Sequence, residues 1–336
     1  RGHGHRKDEE ILRTLGAARL RGLRTSVVQM TGDASVLDGL NRPNAPGLGD
    51  LSGGLSHEEG TRVRALALEA FTRFRGESKR PAIPTREALE RMMAFCAGEP
   101  IPKALAELGL EELALHEQDP RRREIDQRAV ANANRRGFRV VIIGGGMSGL
   151  LLAYRLAQQG IDFCVLEKNE GVGGTWYENR YPGCRVDIAS HAYSYSFDER
   201  PWDSYFGEHD ELRANLARIA KENDLESHFE FGSEVSSAEF DEASNEWHIE
   251  YDQRGEPRRI SAQVVISAVG QMNRPRIPEI AGRDKFSGPQ MHTAQWDQEV
   301  DLAGKRVAVV GTGASAFQLV PELSKACAEI TVFQRK

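Results

Sequence analysis

Two glycine runs in the chain carry a spacing that could hold phosphate: Gly144-Gly145-Gly146-Met147-Ser148-Gly149 and Gly311-Thr312-Gly313-Ala314-Ser315-Ala316. In G-x-G-x-x-G/A the first glycine allows a tight turn between strand and helix. The second lets backbone N–H groups approach a pyrophosphate, and the third, Gly149 or Ala316, lets the helix lie close to the strand. Glu167 follows Gly144 by 23 residues, where a carboxylate can accept hydrogen bonds from an adenosine ribose. Aligning Val165-Leu166-Glu167 with Val332-Phe333-Gln334 puts a neutral residue at the second site, followed at once by Arg335-Lys336. A carboxylate repels a ribose 2′-phosphate, and an arginine binds it through charge-assisted hydrogen bonds. The first run therefore reads as a site for an unphosphorylated adenosine, as in FAD, and the second as a site for NADPH. The blander alternatives are a glycine turn needed only for packing and an ordinary basic strand end.

The elements that must position these residues are legible around them. Val140-Val141-Ile142-Ile143 is a continuous apolar run of the kind a strand buried on both faces requires, and a helical pattern follows through Leu150, Tyr154 and Leu156 to Gly160. Phe163-Cys164-Val165-Leu166 is the second strand. The pattern repeats as Val307-Ala308-Val309-Val310, a helix through Phe317, Leu319, Val320 and Leu323, and the strand Ile330-Thr331-Val332-Phe333. Between the two units the spacing predicts a helix over 207–224 with Leu212, Leu216 and Ile219 on one face. Strands are predicted over 229–231, 234–240, 247–251 and 262–267, with a hairpin turn over 252–256.

Before residue 138 the pattern is helical, from Ile11-Leu12-Leu15 through Leu105 to Leu115, with helix starts at Ser56/Glu59 and Thr85 and a long Asn-, Pro- and Gly-rich loop over 41–54. His57 and His116 stand alone and read as surface or capping residues. The polar run 117–137 reads as an exposed, charged connector. The expected fold class is α/β: an all-α N-terminal extension (1–116), the connector, the first part of an FAD-binding domain with an antiparallel β insertion (138–283), a linker (284–304) and the start of an NADP-binding domain (305–336).

Composition narrows the function classes. A net charge of −6 and a pI near 5.9 argue against nucleic acid or an anionic membrane as the main partner. Cys96, Cys164, Cys184 and Cys327 form no C-x-x-C pair, so neither a metal site nor a disulfide framework is indicated. No apolar run is long enough to span a bilayer, and a soluble, cytoplasmic protein is expected. The chain opens at Arg1 and stops directly after a strand pattern, so neither end is expected to be the natural one.

Two further stretches carry residue types suited to a ring cofactor. Gly173 to Asp187 combines glycines, flat aromatics and the charges Arg185 and Asp187, and by itself supports a loop over a ligand. Phe286-Ser287-Gly288-Pro289-Gln290-Met291-His292-Thr293-Ala294-Gln295-Trp296-Asp297 joins the two nucleotide units. With these residues in view the chain resembles the flavin-dependent Baeyer–Villiger monooxygenases. Phe286, Gly288, His292, Trp296 and Asp297 match the family fingerprint F-x-G-x-x-x-H-x-x-x-W-[PD], and 173–187 matches [AG]-G-x-W-x-x-x-x-[FY]-P-[GM]-x-x-x-D. Trp296 separates this group from related monooxygenases that oxidise nitrogen or sulfur, which carry Tyr there. The ordering of Leu23 to Asp33 and of Pro84 to Gly98 looks like the N-terminal extension of the 4-hydroxyacetophenone monooxygenase group.

The resemblance implies an enzyme in which NADPH reduces FAD, oxygen adds to the reduced ring as a C4a-peroxide, and a ketone, an aryl ketone among them, becomes an ester or lactone. It places Gly144, Gly146, Met147, Ser148, Gly149, Glu167, Lys168, Gly173, Gly174, Thr175, Trp176, Arg185, Val186, Asp187, Tyr193 and Val235 along FAD. It places Gly311, Thr312, Gly313, Ala314, Ser315, Ala316, Phe317, Arg335 and Lys336 along NADP. Asp187 would act catalytically by tuning an arginine from sequence outside this chain, and His292 and Trp296 would serve as a hinge. The helical extension would make a homodimer contact. Two rivals remain: an N- or S-oxidising flavin monooxygenase, and a non-catalytic nucleotide-binding or assembly fragment.

Overall fold

The computed structural model describes residues 11–38, 54–77, 83–113, 125–198, 200–272 and 274–334. The chain divides into two compact units, residues 1–124 and 125–336.

The first unit is helical. Residues 11–17 form α1, followed by α2 (Leu20–Thr31), α3 (His57–Glu77), α4 (Arg86–Ala97) and α5 (Lys103–Leu113). Ser56 and Glu59 make the reciprocal bonds of a capping box, Ser56 N donating to Glu59 at 2.8 Å and Glu59 N to Ser56 Oγ at 3.2 Å. Thr85 Oγ1 accepts from Ala88 N at the start of α4. Leu15, Leu20, Leu23 and Val27 close on Val63 and Ala67 of α3, and Val28 packs with Leu37 and Phe95. Most of the loop predicted over 41–54 lies outside the described residues.

The second unit begins with a helix the sequence reading missed. Within the expected connector, α6 (Gln127–Arg135) is capped by Asp126, and Asn134 donates to Gly160 O at 2.7 Å. Only Val130 is buried on it, so no apolar stripe announced the helix. The strands β1 (Val140–Ile143), β2 (Phe163–Glu167), β3 (Phe229–Phe231) and β7 (Val264–Ser267) form a parallel sheet in the order β3-β2-β1-β7. Side chains alternate across a strand. Val140 and Ile142 therefore join the core beneath α7 (Met147–Gln159) and α9 (His209–Glu222), and Val141 joins Ile249, Tyr251 and Ala262 on the opposite face.

That opposite face is covered by an antiparallel sheet of β4 (Ser233–Asp241), β5 (Glu246–Gln253) and β6 (Glu256–Ala262). Arg254 and Gly255 turn β5 into β6 with φ of 53° and 87°, the left-handed pair a two-residue hairpin needs. The strand expected over 262–267 thus begins only at Val264, and Glu256–Ala262 is a separate strand. It reads Glu-Pro-Arg-Arg-Ile-Ser-Ala and lies at the sheet edge, exposed over most of its length, so its polar sequence hid it. At the end of the described residues, β8 (Arg306–Val310), α10 (Ala314–Leu323) and β9 (Glu329–Phe333) form a second parallel βαβ unit.

Candidate functional site

The two glycine turns have the same backbone. Gly144 and Gly311 take φ of 104° and 111°, a region in which glycine alone is comfortable. Gly144 N donates to Leu166 O, and Gly311 N to Phe333 O, each at 2.8 Å. This pair of bonds makes Leu166 equivalent to Phe333, and so Glu167 equivalent to Gln334, the register read from the sequence. Arg335 and Lys336 lie outside the described residues.

Sterics explain the first motif. A Cβ on Gly144 would lie 2.7 Å from Ala268 O, just past the end of β7, and one on Gly149 would lie 1.9 Å from Gly144 O. A Cβ on Gly146 would meet only ordinary contact, 3.5 Å from Gly174 Cα, so nothing within the protein demands that glycine. Gly146 is the N-cap of α7 and gives it no side-chain cap; Gly313 stands in the same position on α10. Both helices present uncapped first-turn N–H groups at a glycine, an arrangement that suits a dinucleotide's phosphates. Ser148 is exposed beside the first turn.

Glu167 is buried at the end of β2, 3% exposed. Its carboxylate accepts from Gly145 N on one oxygen, and from Asn169 N at 2.8 Å and Asn169 Nδ2 at 2.7 Å on the other. A carboxylate offers about four acceptor positions, so these three donors leave room for one hydroxyl. Lys168 turns away to pair with Glu178 at 2.8 Å.

The loop that follows lies against both nucleotide units. Gly173 N donates to Gly145 O, and Gly174, with φ of 53°, caps the short helix α8 (Thr175–Glu178). Trp176 is buried, donates to Tyr193 Oη at 3.1 Å and meets its ring edge-on at 5.6 Å. Tyr181 Oη donates to Gln318 Oε1 of α10 at 2.8 Å, and Gln318 Nε2 donates to Arg185 O at 2.9 Å. Burial pushes the Tyr181 phenol up to about 12 and the Cys184 thiol up to about 11, so both are neutral at physiological pH. Arg185 pairs with Glu208 at 3.2 Å, and Val186 is buried. Asp187 and Ile188 are exposed at the end of the loop. Val235 lies at a register shift in β4, half-buried against the sheet core.

The fingerprint segment 286–297 is stabilised locally. The Phe286 ring lies over Gly288, where a Cβ would come within 2.7 Å of it. His292 Nδ1 accepts from Ala294 N at 3.1 Å, capping a single 3-10 turn over Thr293–Gln295. Trp296 ends that turn and packs onto the main core, and Asp297 accepts from Glu299 N at 2.9 Å. These contacts of Phe286, Gly288, His292 and Asp297 thus all lie within the segment and its immediate continuation.

A groove of about 420 Å³ opens between His191, Tyr195, Asp198, Arg200 and Trp202. The loop that lines it is braced by stacking of Phe197 on Tyr154 and on Tyr195, by Tyr195 Oη donating to Met147 O at 2.6 Å, and by Arg218 on Asp198 at 2.5 Å. Sequence reading missed this brace, Asn169 and Gln318. The signal was a polar residue within an apolar helix for Gln318 and aromatics within a loop for the brace; Asn169 stands in a polar run and carried none.

Comparison with known proteins places these features. Residues 142–208 match the family described as NAD(P)-binding Rossmann-like domain, and 214–335 the family described as L-lysine 6-monooxygenase/L-ornithine 5-monooxygenase. An uncharacterized monooxygenase of Sinorhizobium fredii is 38% identical over 84% of this chain and 42% of its own length, a match that reaches into the helical unit. A Baeyer–Villiger monooxygenase of Streptomyces coelicolor is 45% identical over 59% of this chain and 38% of its own length. Among solved structures, OTEMO in complex with FAD and NADP aligns with a TM-score of 0.55 and 35% identity, over 58% of this chain and 38% of that one. The chain spans about two fifths of the length of the relatives it matches.

Proposed function

We propose that this chain, similar in sequence and fold to flavin-dependent Baeyer–Villiger monooxygenases, is part of an NADPH- and oxygen-dependent FAD enzyme that converts ketones to esters or lactones. Aryl ketones are the proposed substrate class. The observation that carries the reading is the pair of uncapped glycine turns of matching backbone, with a buried carboxylate after one, a neutral Gln334 after the other and the fingerprint segment between them.

Bound FAD, reduced by NADPH, would supply the reaction with oxygen. The chain's own residues bind, orient and exclude water. The amides at the start of α7 would hold one pyrophosphate and Glu167 one ribose; the amides at the start of α10 would hold the phosphorylated dinucleotide, with Arg335 and Lys336 as the residue types that would bind its 2′-phosphate. Trp176, held by Tyr193, and Val235 provide apolar walls. Asp187 is the exposed carboxylate offered to a cationic side chain from elsewhere in the enzyme. A homodimer contact through the helical unit belongs to the same reading.

A second reading, oxidation of nitrogen or sulfur, is favoured by the match of residues 214–335 to the lysine and ornithine monooxygenase family. The full-length protein decides between them. It should show flavin absorption, oxidise NADPH faster with acetophenone, and release an ester. Abundant sulfoxide from a thioether with no ester sinks the ketone reading. A colourless protein without ketone-stimulated turnover sinks the enzyme reading.

A further inference from the structure

We infer that Gln318 is a positioning residue that couples the second glycine turn to the loop 181–187, so that filling of that turn is felt at Cys184 and Asp187. The inference rests on reading the second turn as a nucleotide site.

Gln318 lies one turn inside α10, on the helix that begins at Gly313. Its side-chain amide grips the peptide of Arg185 from both sides, accepting from Arg185 N at 3.3 Å and donating to Arg185 O at 2.9 Å. The same Oε1 accepts from Tyr181 Oη at 2.8 Å. Ser315, in the first turn of α10 where a phosphate would arrive, is near enough to Tyr181 to influence its phenol. Backbone meets backbone alongside: a Cβ on Gly183 would lie 2.7 Å from Gln318 O and 2.8 Å from Glu322 Cγ.

On its other side the loop is tied to the start of α9, His209 N donating to Cys184 O and Val186 N to Gly207 O. Loosening the α10 side therefore frees the strip without unfolding it. Only an amide offers one acceptor and one donor in the geometry of a peptide. Leucine offers neither. A phosphate drawing on the Ser315 hydroxyl and the α10 amides orders the helix start, which tightens the grip on Tyr181 and Arg185.

Cys184 reports the state of this strip. It lies between Tyr181 and Arg185, 4% exposed, and is one of four free thiols, so iodoacetamide labelling with peptide mapping reads it against Cys164 and Cys327 in the same molecule. In the full-length protein, NADP⁺ should slow Cys184 labelling and leave Cys164 unchanged. In Gln318→Leu, Cys184 should label about ten-fold faster without ligand, equivalent to ~1.4 kcal/mol in local opening. NADP⁺ should then no longer protect it. Calorimetric affinity for NADP⁺ should fall by no more than the lost protection factor, since coupling is reciprocal. Gly183→Ala, which pushes the same surfaces apart from the loop side, should reproduce this pattern.

A merely structural Gln318 would raise the baseline rate and keep the NADP⁺ response, and that result overturns the coupling. So does a wild type that binds NADP⁺ with no change at Cys184. A wild type that does not bind NADP⁺ overturns the nucleotide reading and the coupling together. The baseline difference between wild type and Gln318→Leu then decides whether the contact holds the loop at all.

Discussion

Arg24 is the residue whose sequence context and surroundings disagree most. It lies on the inner face of α2, 9% exposed, and its Nε and Nη1 find no hydrogen-bond partner among the described residues. Burial lowers its pKa, partly offset by Glu59, and its guanidinium stands 5.7 Å over the Phe95 ring. Unsatisfied buried donors cost about 1–3 kcal/mol, more than an aromatic contact of about 0.5–1 kcal/mol returns. Arg24→Met should therefore stabilise the helical unit by about 1 kcal/mol, read as a higher midpoint in thermal melts. A lower midpoint would mean the guanidinium has a role in holding the unit together. Cys164 and Cys184 give a pH test. Burial raises both thiols from the ordinary 9.0 to about 11. Between those values the unfolded chain has lost protons that the folded chain keeps, so stability falls as pH rises through the window. Melting midpoints should drop from pH 9 to pH 11, and Cys164→Ala should remove part of the drop. At the second nucleotide turn, Arg335→Ala should weaken NADPH by about 1.5–3 kcal/mol and barely affect NADH. Equal losses in a binding titration would reject the 2′-phosphate assignment.

Among the elements, those set by apolar periodicity and glycine spacing were legible in the sequence, and those set by polar contacts were not. The run Val140 to Ile143 is apolar at every position because the strand is covered on both faces, and α9 buries Leu212, Leu216 and Ile219 as its spacing predicts. The register linking Glu167 to Gln334 could be read because two equivalent strands end in equivalent hydrogen bonds. Edge strand β6 and helix α6 escaped because neither has an apolar face, and α6 relies on an Asp126 cap and a tie from Asn134. Gln318 escaped because it matters through a partner 133 residues away, which no local pattern shows. The loop between α8 and α9 depends on Ser190, fully buried, whose Oγ accepts from Gly207 N at 2.8 Å and donates toward Ser204 O and Tyr205 O at 3.1 Å. Ser190→Ala leaves the Gly207 N–H buried without that acceptor and should cost about 1–3 kcal/mol. Faster proteolysis within 190–207 would accompany it, and an unchanged melting midpoint would show that water replaces the hydroxyl.

At the scale of the whole molecule, the two units hold separate cores among the described residues, one built on Leu20, Val27 and Val63, the other on Ile142, Leu150 and Ile219. Within the second unit burial is uneven. Val140 to Ile142 are almost fully covered, yet in the equivalent strands Val310 is 60% exposed and Phe333 54%. Leu319 and Leu323 carry α10 into the main core as buried side chains, joined by the half-buried Val307, Val309 and Ile330 of the flanking strands and by the Gln318 contact to Arg185. Cores that share no buried cluster can unfold separately, and a ligand stabilises only the unit it binds. Scanning calorimetry should thus resolve two transitions. Arg24→Met should move one of them, while added FAD and Ser190→Ala should move the other in opposite directions. A single transition that responds to all three would mean that the units unfold as one body. FAD moving the helical transition instead would take the cofactor away from the first glycine turn.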